Sequence, residues 1–474
     1  MLLYSIMTLI FYDFETSSRY LVGQILTYAF VVTDEHLNPI QSFSGRIKLN
    51  RMQCPEVDAV LTNKLDIMHL QQTGKSEYET AHEIFSFLQN CISTYGICTL
   101  VGFNSNTFDL SFLRTLLIRY GINPYFMGKL KNKDILHWAQ SLAFSYPEEF
   151  PWVLTEKNDK AYYSFRLEDL TQSLGLLNEA QSHDALEDVQ LTIKLVYFLE
   201  QRFQQKLVDF IAFDISACLP SQEKHPIMGF KSRHFAEKSE TPKKFIHRYY
   251  YCLSREKNML LAVDLERLAL LSSEEFSDEN LLKTIRYLNP NKHFFIAESS
   301  DISFDSKLSS LPSMIDENSF YRSLAEQPSS YFTLIKKDWD IDYQIHELGF
   351  ERIDQLRSYV DRFMAHKNSY PSLLRELLTK RKHEKDTYLI QLFNRVYLNY
   401  HPDPDPALSA RYLIPRYQTG SMYKGDPQEN FFQQQFDYLN SCLENHELET
   451  DLPILQSLHQ YYSEFQQQFL KKIF

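Results

Sequence analysis

The chain has 474 residues, 44% of them hydrophobic and 23% charged, with a formal net charge of −12. That excludes a disordered or fibrous chain and leaves room for about two to four domains at ~100–200 residues each. Six cysteines without a C-x-x-C pair exclude a zinc ribbon and fit a reducing, intracellular setting, while twelve glycines with no G-x-G spacing exclude the Rossmann and P-loop phosphate cradles.

The opening run MLLYSIMTLIFYDF is apolar, but it has no basic head and no small-residue cleavage site, so it reads as strand rather than signal peptide. No stretch is long and apolar enough to span a bilayer, and no membrane role is expected. TLIFYDFET, QILTYAFVVTD and IQSFSGRIKL read as three strands. EYETAHEIFSFLQNCIS has helical spacing, CTLVGF is a short buried strand, and DLSFLRTLLIRYG is a helix stopped by Gly121. SFRLEDLTQSLGL and HDALEDVQLTIKLVYFLEQRF read as two further helices. Strands followed by alternating helix and strand predict an α/β sandwich with a mixed sheet.

Residues 201–300 differ: RYYYCLS, MLLAVDL and HFFIAES are strand-like runs of a small β-rich domain. The Ser-rich stretch from about 299 to 345 reads as loop. From about residue 350 the spacing is helical to the end, broken by the Pro-rich YHPDPDPAL. No internal repeat is present.

The chemistry concentrates in the first 200 residues, which also carry most of the negative charge. Asp13 and Glu15 stand two apart in the first strand, so both carboxylates leave on one face. Buried together they repel, and something must compensate them. Asp109 opens a helix in VGFNSNTFDLSFL. His183 and Asp188 lie in SHDALEDVQLT, with Ser182 expected to cap the helix and Asp184 and Glu187 favourable in its first turn. Four carboxylates and one histidine suit two hard divalent cations on oxygen ligands, Mg²⁺ first with Mn²⁺ also fitting. Such a pair, ~3.5–4 Å apart, serves phosphoryl transfer. Taken singly, each motif has a bland reading: a strand D-x-E is weak, an Asp at a helix start is usually a cap, and solvated acids often crowd a capped helix. In this order within one domain they act together.

D-x-E in a first strand, F-D after GFNSNTFD, and H-x-x-x-x-D in a late helix resemble the DEDDh exonucleases. FRLEDL upstream of HDALEDV, together with YGINPY, is similar to the exodeoxyribonuclease I family, and weaker similarity continues through MLLAVDLERLALL, LNPNKHFFIAES and LIQLFN. The resemblance implies an RNase H-like exonuclease domain at 1–200, an SH3-like β-rich domain with appended helices at 201–382, and a C-terminal α-helical domain at 383–474. It implies a 3′→5′ exonuclease that degrades single-stranded DNA to 5′-mononucleotides in the cytoplasm, in DNA repair and recombination. By the same resemblance Asp13 touches both metals, Glu15 and Asp188 complete one metal site, Asp109 completes the other, and His183 is the general base. Arg166 contacts substrate phosphate, Glu15 also meets the 3′-terminal nucleotide, and Arg114, Tyr125 and His137 contact single-stranded DNA. The implied protein partner is the acidic C-terminal tail of a single-strand-binding protein, and the expected state is a monomer.

Departures from the family pattern touch substrate seating. Leu110 replaces a second acid after Asp109, and SSRYLVGQ after Thr16 replaces a glycine-bearing loop. Rival readings are a DEDDh exoribonuclease with the same metal site, a polymerase-associated proofreading subunit, and a nuclease fold retired into a binding module. Two basic runs are candidate phosphate contacts. Between Lys224 and Arg248, seven Lys/Arg stand against two Glu among aromatic residues, and TKRKHEK spans 379–385. The first reads equally as a solvated loop, and the second reads more readily as a charged helix face or linker.

Overall fold

The computed structural model describes residues 8–51, 53–157, 159–177, 184–211, 227–231, 236–237, 244, 246–256, 259–289, 295–296, 308–328, 345, 348–419, 431–445 and 450–470. The chain forms two compact units: Met1–Lys133, Ala180–Ile193 and Lys337–Phe474 make the first, and Asp134–Glu179 with Lys194–Lys336 the second.

The first unit is built on a five-stranded sheet of β1 (Thr8–Thr16), β2 (Ile25–Thr33), β3 (Pro39–Arg46), β4 (Cys98–Gly102) and β5 (Leu130–Asp134), in the order β3-β2-β1-β4-β5. β1 runs antiparallel to β2 and parallel to β4, so the sheet is mixed as its sequence predicts. Every residue of β2 is buried, whereas β3 at the edge is largely exposed. β5 escapes sequence reading because LKNKD has no apolar alternation. Helices α1 (Val57–Asn63), α2 (Ile67–Thr73), α3 (Glu77–Tyr95) and α4 (Asp109–Arg119) follow the first strands. α3 starts at a capping box between Ser76 and Glu79, and buries Ala81, Ile84, Leu88 and Cys91 on one face.

The second unit holds α5 (Ile135–Ser145), the antiparallel hairpin β6 (Val153–Lys157) and β7 (Lys160–Ser164), and α6 (Leu167–Ser173). α7 (Ala185–Phe203) begins in the first unit and continues into the second. β8 (Ile227–Lys231), β10 (Ile246–Glu256), β11 (Met259–Asp264), β12 (Ile285–Leu288) and β13 (Phe295–Ile296) form a second five-stranded sheet, ordered β12-β11-β10-β8-β13, while β9 (Ala236–Glu237) pairs with β7. This is the expected β-rich part, with short helices α8 (Leu265–Leu268) and α9 (Asp278–Thr284) between its strands.

The Ser-rich stretch departs from its loop reading. Its described part contains α10 (Leu311–Glu317) and α11 (Ser319–Glu326). Pro312 starts the first, and the Asn318 carboxamide accepts from the amides of Phe320 (3.0 Å) and Tyr321 (3.4 Å) to cap the second. Ile315, Tyr321 and Leu324, scattered among serines, join the core made by Tyr251, Leu261 and Val263. Of the basic run at 224–248, most side chains lie outside the described residues, and Arg248 is paired with buried Asp264 at 2.7 Å.

The chain then returns to the first unit as α12 (Phe350–Ala365), α13 (Tyr370–Lys380), α14 (Asp386–Tyr400), α15 (Pro406–Thr419), α16 (Phe431–Leu443) and α17 (Leu452–Phe465). TKRKHEK forms the end of α13 and the exposed link to α14. One hydrophobic cluster joins Ile10, Phe14 and Phe30 of the sheet to Leu356, Phe393, Leu439 and Leu458 of these helices. Polar contacts fix the junction: Tyr461 Oη donates to the Gln53 carbonyl (2.9 Å), the Met68 amide to Ser457 Oγ (2.8 Å), and Lys64 pairs with Asp451 (2.7 Å).

Gly121 does more than end α4. Its φ is +72°, and a Cβ there would stand 2.1 Å from the Arg357 amide nitrogen of α12. Gly175 has φ +66° with open space around it. Gly121→Ala should therefore cost about 3 kcal/mol or more in chemical denaturation, against about 1 kcal/mol for Gly175→Ala, which pays only for its positive φ. Equal losses would mean that α12 does not lean on Gly121.

Candidate active site

β1 and β4 pair from Thr8 opposite Cys98 to Phe11 opposite Val101. β4 then ends, and the chain leaves through Gly102, where a Cβ would meet that of Ser105 at 2.6 Å. β1 continues against β2 alone, with Asp13 opposite Ala29 and Glu15 opposite Thr27. Both carboxylates thus lie beyond the carboxyl end of the parallel pair, where open α/β sheets place their ligands. Tyr12, one residue before Asp13, points the other way and donates its hydroxyl to Asn132 of β5 at 2.9 Å.

Asn104, at φ +57°, turns the segment between β4 and α4, and its backbone and side-chain oxygens accept the Thr107 hydroxyl at 3.0 and 2.8 Å. The turn ends with Asp109, buried as the first residue of α4. It is not the cap; Phe108 holds that position without a side-chain bond.

α7 begins at Ala185, later than the sequence suggests. Asp184, rather than Ser182, supplies the cap: its carboxylate accepts from the amides of Leu186 (3.0 Å) and Glu187 (3.3 Å). Asp188 consequently sits in the first turn and is buried there, where the helix dipole favours negative charge. Ser182 and His183 lie outside the described residues.

One carboxylate oxygen from each of Asp13, Glu15 and Asp188 falls within 4.8 Å of the others. Without a counter-charge this arrangement is costly. Burial, then Asp188 and Asp184, pushes Asp13 up to about 8. Burial, then the charges of Asp13, Asp188, Asp109 and Asp184, pushes Glu15 up to about 10. The electrostatics thus bring Asp109 into the same field as the three clustered acids. A set of hard, mutually repelling oxygens at ligand spacing fits a divalent cation.

The other residues expected at the site are divided between the two units. Arg114, on α4, stacks over the Tyr125 ring at 5.3 Å. Its Nε is buried and makes no hydrogen bond among the described residues. Tyr125 also meets Phe350 edge-on at 5.5 Å. His137 and Arg166 belong to the second unit: His137 is buried in α5, and Arg166 is exposed at the start of α6. The sequence reading does not find the cleft beside β1 formed by Arg19, Tyr20 and Phe431, because it needs α16 brought to the sheet.

A mixed sheet whose central strand delivers paired carboxylates beside the first turn of α7 defines an α/β fold with an acidic cluster at the carboxyl end of its parallel pair. Among solved structures the chain is similar to E. coli exonuclease I bound to a dA16 oligonucleotide, at 20% identity and a TM-score of 0.70, covering 97% of this chain and 100% of that one. It is similar also to an ExoI/SSB-Ct complex, at 20% identity and a TM-score of 0.68, covering 97% of this chain and 99% of that one. A zinc-bound E. coli exonuclease I–ssDNA complex matches at 19% identity and a TM-score of 0.64, covering 97% of this chain and 99% of that one. No family model and no curated protein matches the sequence. The particular fold is that of exonuclease I. No helix among the described residues is long and apolar enough to cross a membrane.

The raised carboxyls set a pH dependence for the metal-free protein. A carboxyl whose folded pKa exceeds its unfolded value binds more protons folded than unfolded, so stability falls as pH rises between the two values. In chelator, unfolding free energy should decline from about pH 4 through about 8 at Asp13 and on towards 10 at Glu15. Glu15→Gln should flatten that decline and raise metal-free stability at pH 8 by about 1–3 kcal/mol. Denaturant melts across pH measure both. A parallel decline in wild type and variant would show that Glu15 carries no such strain.

Proposed function

We propose that the protein is a metal-dependent 3′→5′ exodeoxyribonuclease that degrades single-stranded DNA to 5′-mononucleotides. The observation that carries this reading is the convergence of Asp13, Glu15 and Asp188 within ligand distance at the end of β1, in a chain that shares the exonuclease I fold over 97% of its length. Asp13, Glu15, Asp109 and Asp188 would hold two divalent cations, Mg²⁺ first with Mn²⁺ fitting the same oxygens. Such ions supply Lewis-acid chemistry, acidifying water towards pKa ~7 and offsetting charge that builds on the phosphate.

The chain's own groups do the rest. His183, just before α7, takes the role of general base for the attacking water. The Arg114 guanidinium, held over Tyr125 with a buried N–H to spare, is suited to a phosphate oxygen. Arg166, exposed at a helix start, is suited to the same task, and His137 is assigned to the substrate strand through the family resemblance. A role in DNA repair and an encounter with the C-terminal tail of a single-strand-binding protein fit this activity. The ExoI/SSB-Ct complex with the same fold supports that partner. We assign a cytoplasmic monomer.

The test uses 5′-labelled single- and double-stranded DNA and RNA, each with Mg²⁺ and with EDTA. Single-stranded DNA should shorten from its 3′ end with Mg²⁺ alone, and Asp13→Ala should abolish the ladder. His183→Ala should slow it by about 10²–10⁴-fold. Faster loss of single-stranded RNA would instead make the protein an exoribonuclease. Binding of single-stranded DNA in EDTA should weaken with salt at a log–log slope of about −0.7 per phosphate contacted, and a flat salt response would remove the cationic groove.

A further inference from the structure

The sheet of the second unit divides its faces by chemistry. Tyr251, Leu261, Val263 and Ile285 turn one way, into a core shared with α8 and α11. Alternation sends Arg248 and Tyr250 of β10, Asp264 of β11 and Arg286 of β12 to the opposite face. The register gathers them. Tyr250 stands opposite Asp264, and Arg286 stands opposite Ala262, two residues before Asp264. Arg248 stands opposite Gly229 of β8, which has no side chain to crowd it.

Asp264 is fully buried and caps α8, where its Oδ1 accepts the Arg267 amide at 3.2 Å. Its Oδ2 draws three guanidinium groups: Arg248 at 2.7 Å, Arg267 at 3.6 Å and Arg286 at 3.8 Å. The charge-assisted bond from Arg248 already satisfies that oxygen, so the other two cations exceed what it needs. Arg286 is fixed further, its Nη1 donating to the carbonyls of Lys283 (3.0 Å) and Ile285 (2.6 Å). Among the described residues, the Nε and Nη2 groups of Arg248 and both Nη groups of Arg267 make no hydrogen bond. Their side chains are 32% and 50% exposed. Glu266 is the second acid here, and both its oxygens accept the Tyr249 amide, at 2.9 and 3.1 Å. Among the described residues, three cations thus stand against two carboxylates that are already engaged. Burial, then the charge of Asp264, holds the Tyr250 phenol above its ordinary range, so it stays protonated beside the arginines.

We propose that Arg248, Arg267 and Arg286, gathered by Asp264, form a phosphate site on the β-rich sheet that holds one phosphodiester of a single-stranded DNA. The two non-bridging oxygens of a phosphodiester can engage the Arg248 and Arg267 forks together, and the Tyr250 ring lies in the same row for a neighbouring base. The inference rests on the nuclease reading for the identity of the anion. Asp264 is then a positioning residue, since it fixes the spread of the forks without meeting the strand.

The test measures binding of a 5′-labelled oligo-dT strand in EDTA, by fluorescence anisotropy across a salt series. Arg267→Gln removes a half-exposed cation that lies 3.6 Å from its acid, so the fold should keep its thermal midpoint. It should weaken binding about tenfold at low salt and reduce the log–log salt slope by about 0.7, the share of one phosphate. Arg267→Lys, which keeps the charge but not the fork, should restore the slope and only part of the affinity. Asp264→Asn keeps the cap oxygen and makes the surface more positive, yet it should weaken binding because the forks lose their anchor. Tighter binding by Asp264→Asn would mean that net charge alone acts, and would overturn the proposal. So would an unchanged slope in Arg267→Gln, or absence of oligo-dT binding by the wild type. Loss of hexa-aspartate binding in Arg267→Gln with oligo-dT binding intact would also overturn it, making the cluster a site for an acidic peptide. Failure of the nuclease reading looks different: the slope changes persist, but no strand is cut when Mg²⁺ is added.

Discussion

The structure depends on holding like charges together. Asp13 and Glu15 come from one strand, Asp188 from the first turn of α7, and Asp109 from the first residue of α4. Each acid alone would prefer water. Their burial is sustained by rigid backbone on every side: β2 pairing through both β1 positions, a left-handed turn at Asn104, and the Asp184 cap. Such a site is preorganised for cations because the protein bears the electrostatic cost before any ion arrives.

The parts of this arrangement that are local in sequence were legible. Two acids at a spacing of two in an apolar run, an acid after an Asn-rich turn, and an acid one turn into a capped helix each follow from short-range geometry. The mixed sheet was legible for the same reason, since β2 and β4 are continuous apolar runs. β5 was not: Leu130–Asp134 is a polar strand whose pairing is decided by a neighbour. α10 and α11 were hidden because their few core residues are diluted by serine, and only capping at Pro312 and Asn318 betrays them. The start of α7 was misplaced by two residues because Ser182 and Asp184 are both good caps, and the helix uses Asp184, three residues before the Glu187 amide that it binds.

The cleft beside β1 belongs to a different class of information. Its lining is drawn from residues 16–20, from 56–63, from Phe108 and from Phe431 and Gln435. No window of sequence contains it. The polar ties that stiffen the loop after β1 are equally remote, running from the carbonyls of Leu21 and Gly23 through Arg119 to Glu77 and from Glu77 to Tyr120 (2.7 Å), whose hydroxyl meets that of Tyr400 at 3.0 Å. A buried network of this kind is satisfied only when all its members are present.

The shared core between the sheet and α12–α17 has a consequence for biosynthesis. The carboxylate-bearing strand is made before the second unit, yet the helices that complete its core are made after it. A ribosome would therefore translate the whole of the second unit and five further helices before α17 could dock beside Gln53 and Met68. At synthesis rates of about 5–20 residues per second, that leaves the acidic strand without its full covering for tens of seconds. The acidic strand thus leaves the ribosome long before the core that covers it is complete.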